Sequence, residues 1–94
     1  MAEEFATAWL DHTAEADDWY AALVPNSTPS LAAKLKGVDP TEVPADRLTG
    51  SATVVPQGTG LAEVSYPVDS GTLVLRIVVG EGQWLVDGVD WERG

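Results

Sequence analysis

A single histidine, His12, and no cysteine set narrow limits on the chemistry open to this 94-residue chain. His12 recurs with Phe5, Trp9, Ala16 and Trp19 at three- and four-residue spacing, which places it on the apolar stripe of a helix. An imidazole facing a pocket from that position can act as a general base. Tyr66 and Asp90 are the polar groups that could meet it beneath the helix, so His12, Tyr66 and Asp90 form the one catalytic or ligand-orienting constellation the residues offer. The plainer reading is a core histidine bonded to backbone or to a tyrosine, with Asp90 a solvated carboxylate near a strand end. Other chemistries find less support. Without cysteine there is no thiolate nucleophile, disulfide or thiolate metal site. The serines lie in turns or strands with one histidine to serve them, which does not make a nucleophilic triad. No histidine and carboxylate spacing suggests zinc, and the scattered aspartates make no calcium loop. Gly58 and Gly60 precede a strand rather than a helix, so they do not cradle phosphate. Neither a cofactor nor a metal is expected.

The elements that would position these groups follow from periodicity. Residues 2 to 24 read as one amphipathic helix of ~6 turns, opened by Glu3 and Glu4 where the helix dipole favours anions and closed by Val24-Pro25. Its outer face carries Asp11, Glu15, Asp17 and Asp18 with no basic residue, a solvated anionic surface. Thr28-Pro29 reads as a cap with proline at the first helical position, and Gly37 as a stop, giving a short second helix over 29 to 36. Asp39-Pro40-Thr41-Glu42 repeats the cap-and-proline pattern, but Pro44 leaves room for a single turn, a rigid connector.

From Arg47 the period becomes two. A first strand is expected over 47 to 55 and a second over 61 to 68, separated by Pro56 to Gly60. If Ser70-Gly71 forms the next turn, Val64 faces Ile77 and Tyr66 faces Leu75. The clearest signal is Leu73 to Val79 and Gln83 to Trp91 around Gly80-Glu81-Gly82, a hairpin with a tight turn. With Glu81-Gly82 as its loop, Val79 faces Trp84, Ile77 faces Val86 and Arg76 faces Asp87, a structural ion pair. Leu75, Ile77, Trp84 and Val86 then share a core face with Phe5, Trp9 and Leu23 of the helix. Val74, Val78, Leu85, Val89 and Trp91 fall on the other side of the sheet. Such an apolar strip on an outer sheet face marks an interface, with a second copy of the chain or another protein. Helices first and consecutive strands after make this an α+β domain: helices over 2–36, connector over 37–46 and a four-stranded antiparallel sheet over 47–92, in one unit spanning 1–94.

Composition narrows the partners. Fifteen Asp and Glu against five Lys and Arg give a net charge of −10, which repels nucleic-acid phosphates and anionic lipid. No apolar run approaches the ~20 residues of a membrane span, and Met-Ala-Glu-Glu is the opposite of a basic signal-peptide start. As written the chain reads as soluble, and cytoplasmic unless a signal or anchor has been removed.

The phrases Ala8-Trp9-Leu10, GVDPTEVPADRLTG (37–50) and QWLVDGVDWE (83–92), set on two helices followed by a sheet, resemble a short form of the cystatin-like or nuclear-transport-factor-2-like superfamily. In particular they look like a group of actinobacterial proteins associated with conjugative or mobile elements. The resemblance implies a helix-on-curved-sheet roll. It also implies one of two roles: an oligomerising scaffold, as in secretion and conjugation assembly factors, or a pocket domain akin to small polyketide cyclases and isomerases. The plainer reading of His12 and Asp90 and the apolar outer strip favour a non-catalytic protein-interaction or scaffold module, with the small-molecule pocket of His12, Tyr66 and Asp90 as the alternative.

Overall fold

The computed structural model describes residues 2–11, 13–43, 45, 47–80 and 82–93. It is an α+β arrangement in which three helices pack on one face of an open, four-stranded antiparallel sheet. His12, Pro44 and Glu81, on which a candidate base, a helix stop and a hairpin turn were expected, lie outside the described residues.

The single long helix expected over 2 to 24 is two helices, α1 (Ala2–Leu10) and α2 (Ala16–Leu23), folded against each other. The side chains of Asp11 and Thr13 explain the break. Asp11 Oδ1 accepts from the Thr13 backbone N–H at 3.3 Å and from its hydroxyl at 2.6 Å, an alternative to the helical ladder. Trp19 then fixes the hairpin: its indole N–H donates to the Trp9 carbonyl at 3.0 Å, deep in the core. Beyond α2, Val24–Asn26 tighten into a 3₁₀ turn at Pro25.

Helix α3 (Pro29–Leu35) begins as its cap signal predicts, the Thr28 hydroxyl accepting from the Leu31 N–H at 3.2 Å. Gly37, at φ 84°, takes the left-handed conformation that ends it. The connector keeps one 3₁₀ turn, Pro40–Glu42, with Asp39 Oδ1 accepting from the Thr41 N–H at 2.9 Å.

The sheet runs in sequence order: β1 (Thr53–Gly58), β2 (Leu61–Val68), β3 (Gly71–Gly80) and β4 (Gln83–Arg93). The first strand starts later than expected, because only Leu48 bridges to Val68 before the chain leaves the sheet at Gly50 and returns at Thr53. Pro56 to Gly58, expected as loop, belong to β1, and the turn is Thr59–Gly60. Between β2 and β3 the turn is Asp69–Ser70, so Val64 faces Leu75 and Tyr66 faces Leu73, two residues from the expected register. A shift of two leaves the faces unchanged, and Ala62, Val64, Tyr66 and Val68 are all buried.

The β3–β4 hairpin holds the expected pairs Val79 with Trp84 and Ile77 with Val86, and then departs from them. Arg76 pairs with Gly88, leaving Asp87 as the extra residue of a β-bulge. From there the parity reverses. Val89 faces Leu75 and Trp91 faces Leu73, and both pack against the core rather than on the outer side. The outer apolar strip therefore loses two of its five expected members and keeps Val74, Val78 and Leu85. The core gathers Phe5, Trp19, Leu23, Leu73, Leu75 and Val86, all fully enclosed. Trp84, expected in that core, is 43% exposed.

Candidate functional site

Trp84 is on the face predicted for it; the helices do not reach it. A helix from residue 2 to 24 would be about 34 Å long and match the ~33 Å of a ten-residue strand such as β3. Nine-residue α1 is about 14 Å long, and α2 folds back on it instead of continuing over the sheet. The sheet end formed by β1, the start of β2, the end of β3 and the start of β4 is thereby left without a helical layer.

That end is a groove of ≈ 610 Å³ floored by Val54, Pro56, Val64, Tyr66, Ile77 and Trp84, with Ala2 of α1 at one wall. Val54 is 60% exposed, and Val79, beside Trp84 on the same face, 45%. From Leu48 to Ala62 the chain carries no charged side chain at all. Tyr66 is the one titratable residue among the described lining positions. Burial holds its phenol above the ordinary value of 10.0, and the negative charge of Glu3 adds to the shift. Glu3 thus stands within electrostatic reach of the groove, and Glu4 follows it on α1.

The groove is bordered by the outer edge of β1, which is poorly suited to take another strand. Pro56 has no N–H to offer, and the register slips between Pro56 and Gly58. The opposite edge of the sheet is met at one point on β4. Ser27 bridges in parallel to Val86, and the Thr28 N–H donates to the Val86 carbonyl at 2.9 Å.

A second cleft, ≈ 410 Å³, lies where α3 and the connector meet β4. Its lip is a small polar network built on the bulge. The Thr28 hydroxyl donates to Asp87 Oδ1 at 2.7 Å, and Arg76 Nη2 lies 3.6 Å from Asp87 Oδ2. The expected Arg76–Asp87 pair thus forms, though not as cross-strand opposites. Gly88 makes room for it, since a Cβ there would come within 3.1 Å of Arg76 Nη2. Asp87 and Asp90, three residues apart and so on opposite faces of a regular strand, both border this cleft because of the bulge.

The two described members of the expected constellation are therefore kept apart. Tyr66 lines the groove over β1 to β4, whereas Asp90 is exposed at the second cleft. The groove has the volume of a ligand pocket but lacks the few convergent polar groups that orient a small substrate. Among the described residues no cluster of three metal-ligating side chains occurs, and no helix is long and apolar enough to cross a membrane. Sequence reasoning missed the groove because strand alternation reports which face a side chain takes, not whether anything covers it. It missed the bulge although Asp87-Gly88 inside a strand is a usable signal for one. The chain matches no protein-family model, no curated protein and no solved structure.

Proposed function

We propose that this domain is a non-catalytic protein-interaction module that works through the uncovered apolar end of its sheet, on a cystatin-like or nuclear-transport-factor-2-like roll. The observation that carries the reading is the exposure of Val54 and Trp84 in a groove with one titratable lining residue among those described, with Val79 exposed beside Trp84 on the same helix-bearing face. Contiguous apolar surface of this kind on an otherwise strongly anionic protein is retained for contact. The resemblance to scaffold domains of mobile-element and conjugation systems supports the same reading. The alternative, a catalytic pocket, is weakened by the separation of Tyr66 from Asp90.

A photo-reactive phenylalanine analogue placed at Val54, and another at Val78 on the outer face, test this. The expected result is a discrete protein adduct from position 54 whose partner, once purified, binds the unmodified chain and not Val54→Glu. An adduct formed only from position 78, or a small lipophilic compound recovered from the groove in place of a protein, would sink the reading.

A further inference from the structure

We propose that the partner element seated in this groove is a short amphipathic helix with basic residues along its polar face. This rests on the interaction reading above and names the chemistry of the occupant. Two geometrical facts select a helix. The β1 edge is guarded against strand addition by Pro56 and by the register slip that follows it, so a partner is received on the face and not at the edge. On that face the groove continues the helical layer that α1 begins, so a partner helix would extend a layer already present. From Val54 on β1 to Trp84 on β4 is three strand spacings across the sheet and four residues along it, a diagonal of about 19 Å, the length of three to four helical turns. Apolar anchors at i, i+7 and i+11 on one helical face would fall against Val54, Ile77 and Trp84.

Charge selects the sign of its flanks. No Lys or Arg lines the groove among the described residues, while Glu3 acts on Tyr66 in its floor and Glu4 stands beside Glu3 on the adjoining helix. The whole chain carries −10. An incoming helix with lysines or arginines flanking its apolar stripe meets complementary charge, an acidic one meets repulsion, and a second copy of this chain brings ten further negative charges.

The test uses the intact chain and three synthetic 14-residue peptides: a Leu/Lys peptide with leucines on one helical face, the same pattern with glutamates for lysines, and a shuffled Leu/Lys peptide. Binding is followed by calorimetry and by amide shift changes at 150 mM NaCl. The patterned Leu/Lys peptide is expected to bind at least about tenfold more tightly than either control, with shifts confined to β1, the start of β2, the end of β3 from Ile77 onward, and Trp84. Val54→Glu adds negative charge, yet should weaken binding at least about tenfold by placing a carboxylate on an apolar contact. Glu3→Gln with Glu4→Gln should weaken it about threefold and flatten its salt dependence. Trp84→Ser serves in place of Val54→Glu if the latter melts early. Equal binding of the Leu/Lys and Leu/Glu peptides, both lost in Val54→Glu, would overturn the basic-helix assignment and leave the interaction reading standing. Peptide binding unchanged in both groove variants would overturn the two together, whereas a groove occupied by a second copy at this salt concentration would overturn the basic-helix assignment alone.

Discussion

Two tryptophans on the same helix-facing side of the molecule meet different fates, and the difference can be measured. Trp19 is 1% exposed, with its indole N–H on the Trp9 carbonyl, whereas Trp84 is 43% exposed in the groove. Trp19→Ala should cost ~3 to 5 kcal/mol, through lost burial, a cavity and an unpaired carbonyl. Trp84→Ala should cost about half as much, ~1.5 to 2.5 kcal/mol, since 43% of its surface already stands in water. Urea midpoints of the two variants decide the matter, and similar losses would mean that the groove is covered in solution. Tyr66 offers a second residue-scale check. Its phenol is held above 10.0 by burial first and by Glu3 second, so the neutral form is favoured in the folded state. Its contribution to stability is then fully present below pH 10.0 and is lost as the pH rises through the higher folded value. Absorbance titration at alkaline pH, with Tyr66→Phe as the blank for Tyr20, should show the Tyr66 transition moving down in Glu3→Gln. No movement would separate Glu3 from the groove.

At the scale of elements, the bulge in β4 decides which residues are inside. If strict alternation held to the end of the strand, Val89 would be a surface position like Val78. With Asp87 as the extra residue, Val89 packs against the core and Val78 stays on the outer face. Val89→Glu should therefore cost ~2 to 4 kcal/mol as a carboxylate forced against apolar neighbours, and Val78→Glu under about 1 kcal/mol. Thermal melts of this pair read the parity of the strand directly, and the reverse order would remove the bulge from the account. Thr28 ties the bulge to α3, capping the helix with its oxygen and donating its proton to Asp87. Thr28→Ala should cost about 1 to 2 kcal/mol, with Thr28→Ser restoring most of it. These elements also show where the sequence was legible. The α3 cap, the β2 span and the hairpin near Gly82 rest on local signals, and all three appear where those signals lie. The long helix was misread because apolar spacing continues through Asp11 to Glu15 while the Asp11–Thr13 bonds interrupt the backbone ladder. Periodicity records faces, and it is insensitive to a local competitor for the helical hydrogen bonds. The groove follows from that same break, so it was hidden for the same reason.

For the whole molecule the question is whether its apolar surfaces bring copies of the chain together. Two candidates exist on opposite sides of the sheet: the groove with Val54 and Trp84, and the outer strip, reduced by the bulge to Val74, Val78 and Leu85. On the outer side Arg76 and Asp90 lie among or beside the valines, both exposed, so a contact there must bury or displace charged groups. On the groove side the neutral run from Leu48 to Ala62 imposes no such cost locally, but each copy brings a charge of −10. At ~0.15 M salt the screening length is about 8 Å, too long to hide carboxylates such as Glu3, whose charge reaches Tyr66 in the groove floor, and at 1 M it falls to about 3 Å. The chain is therefore expected to sediment as a monomer at ~0.1 mM in 0.15 M NaCl, where only associations tighter than roughly that concentration are populated. In 1 M NaCl, weak self-association should appear and be abolished by Val54→Glu while Val78→Glu leaves it intact. Loss of association in Val78→Glu alone would assign self-contact to the outer strip. A dimer already present at low salt would show that apolar burial outweighs the repulsion, and that the groove is closed by the chain itself.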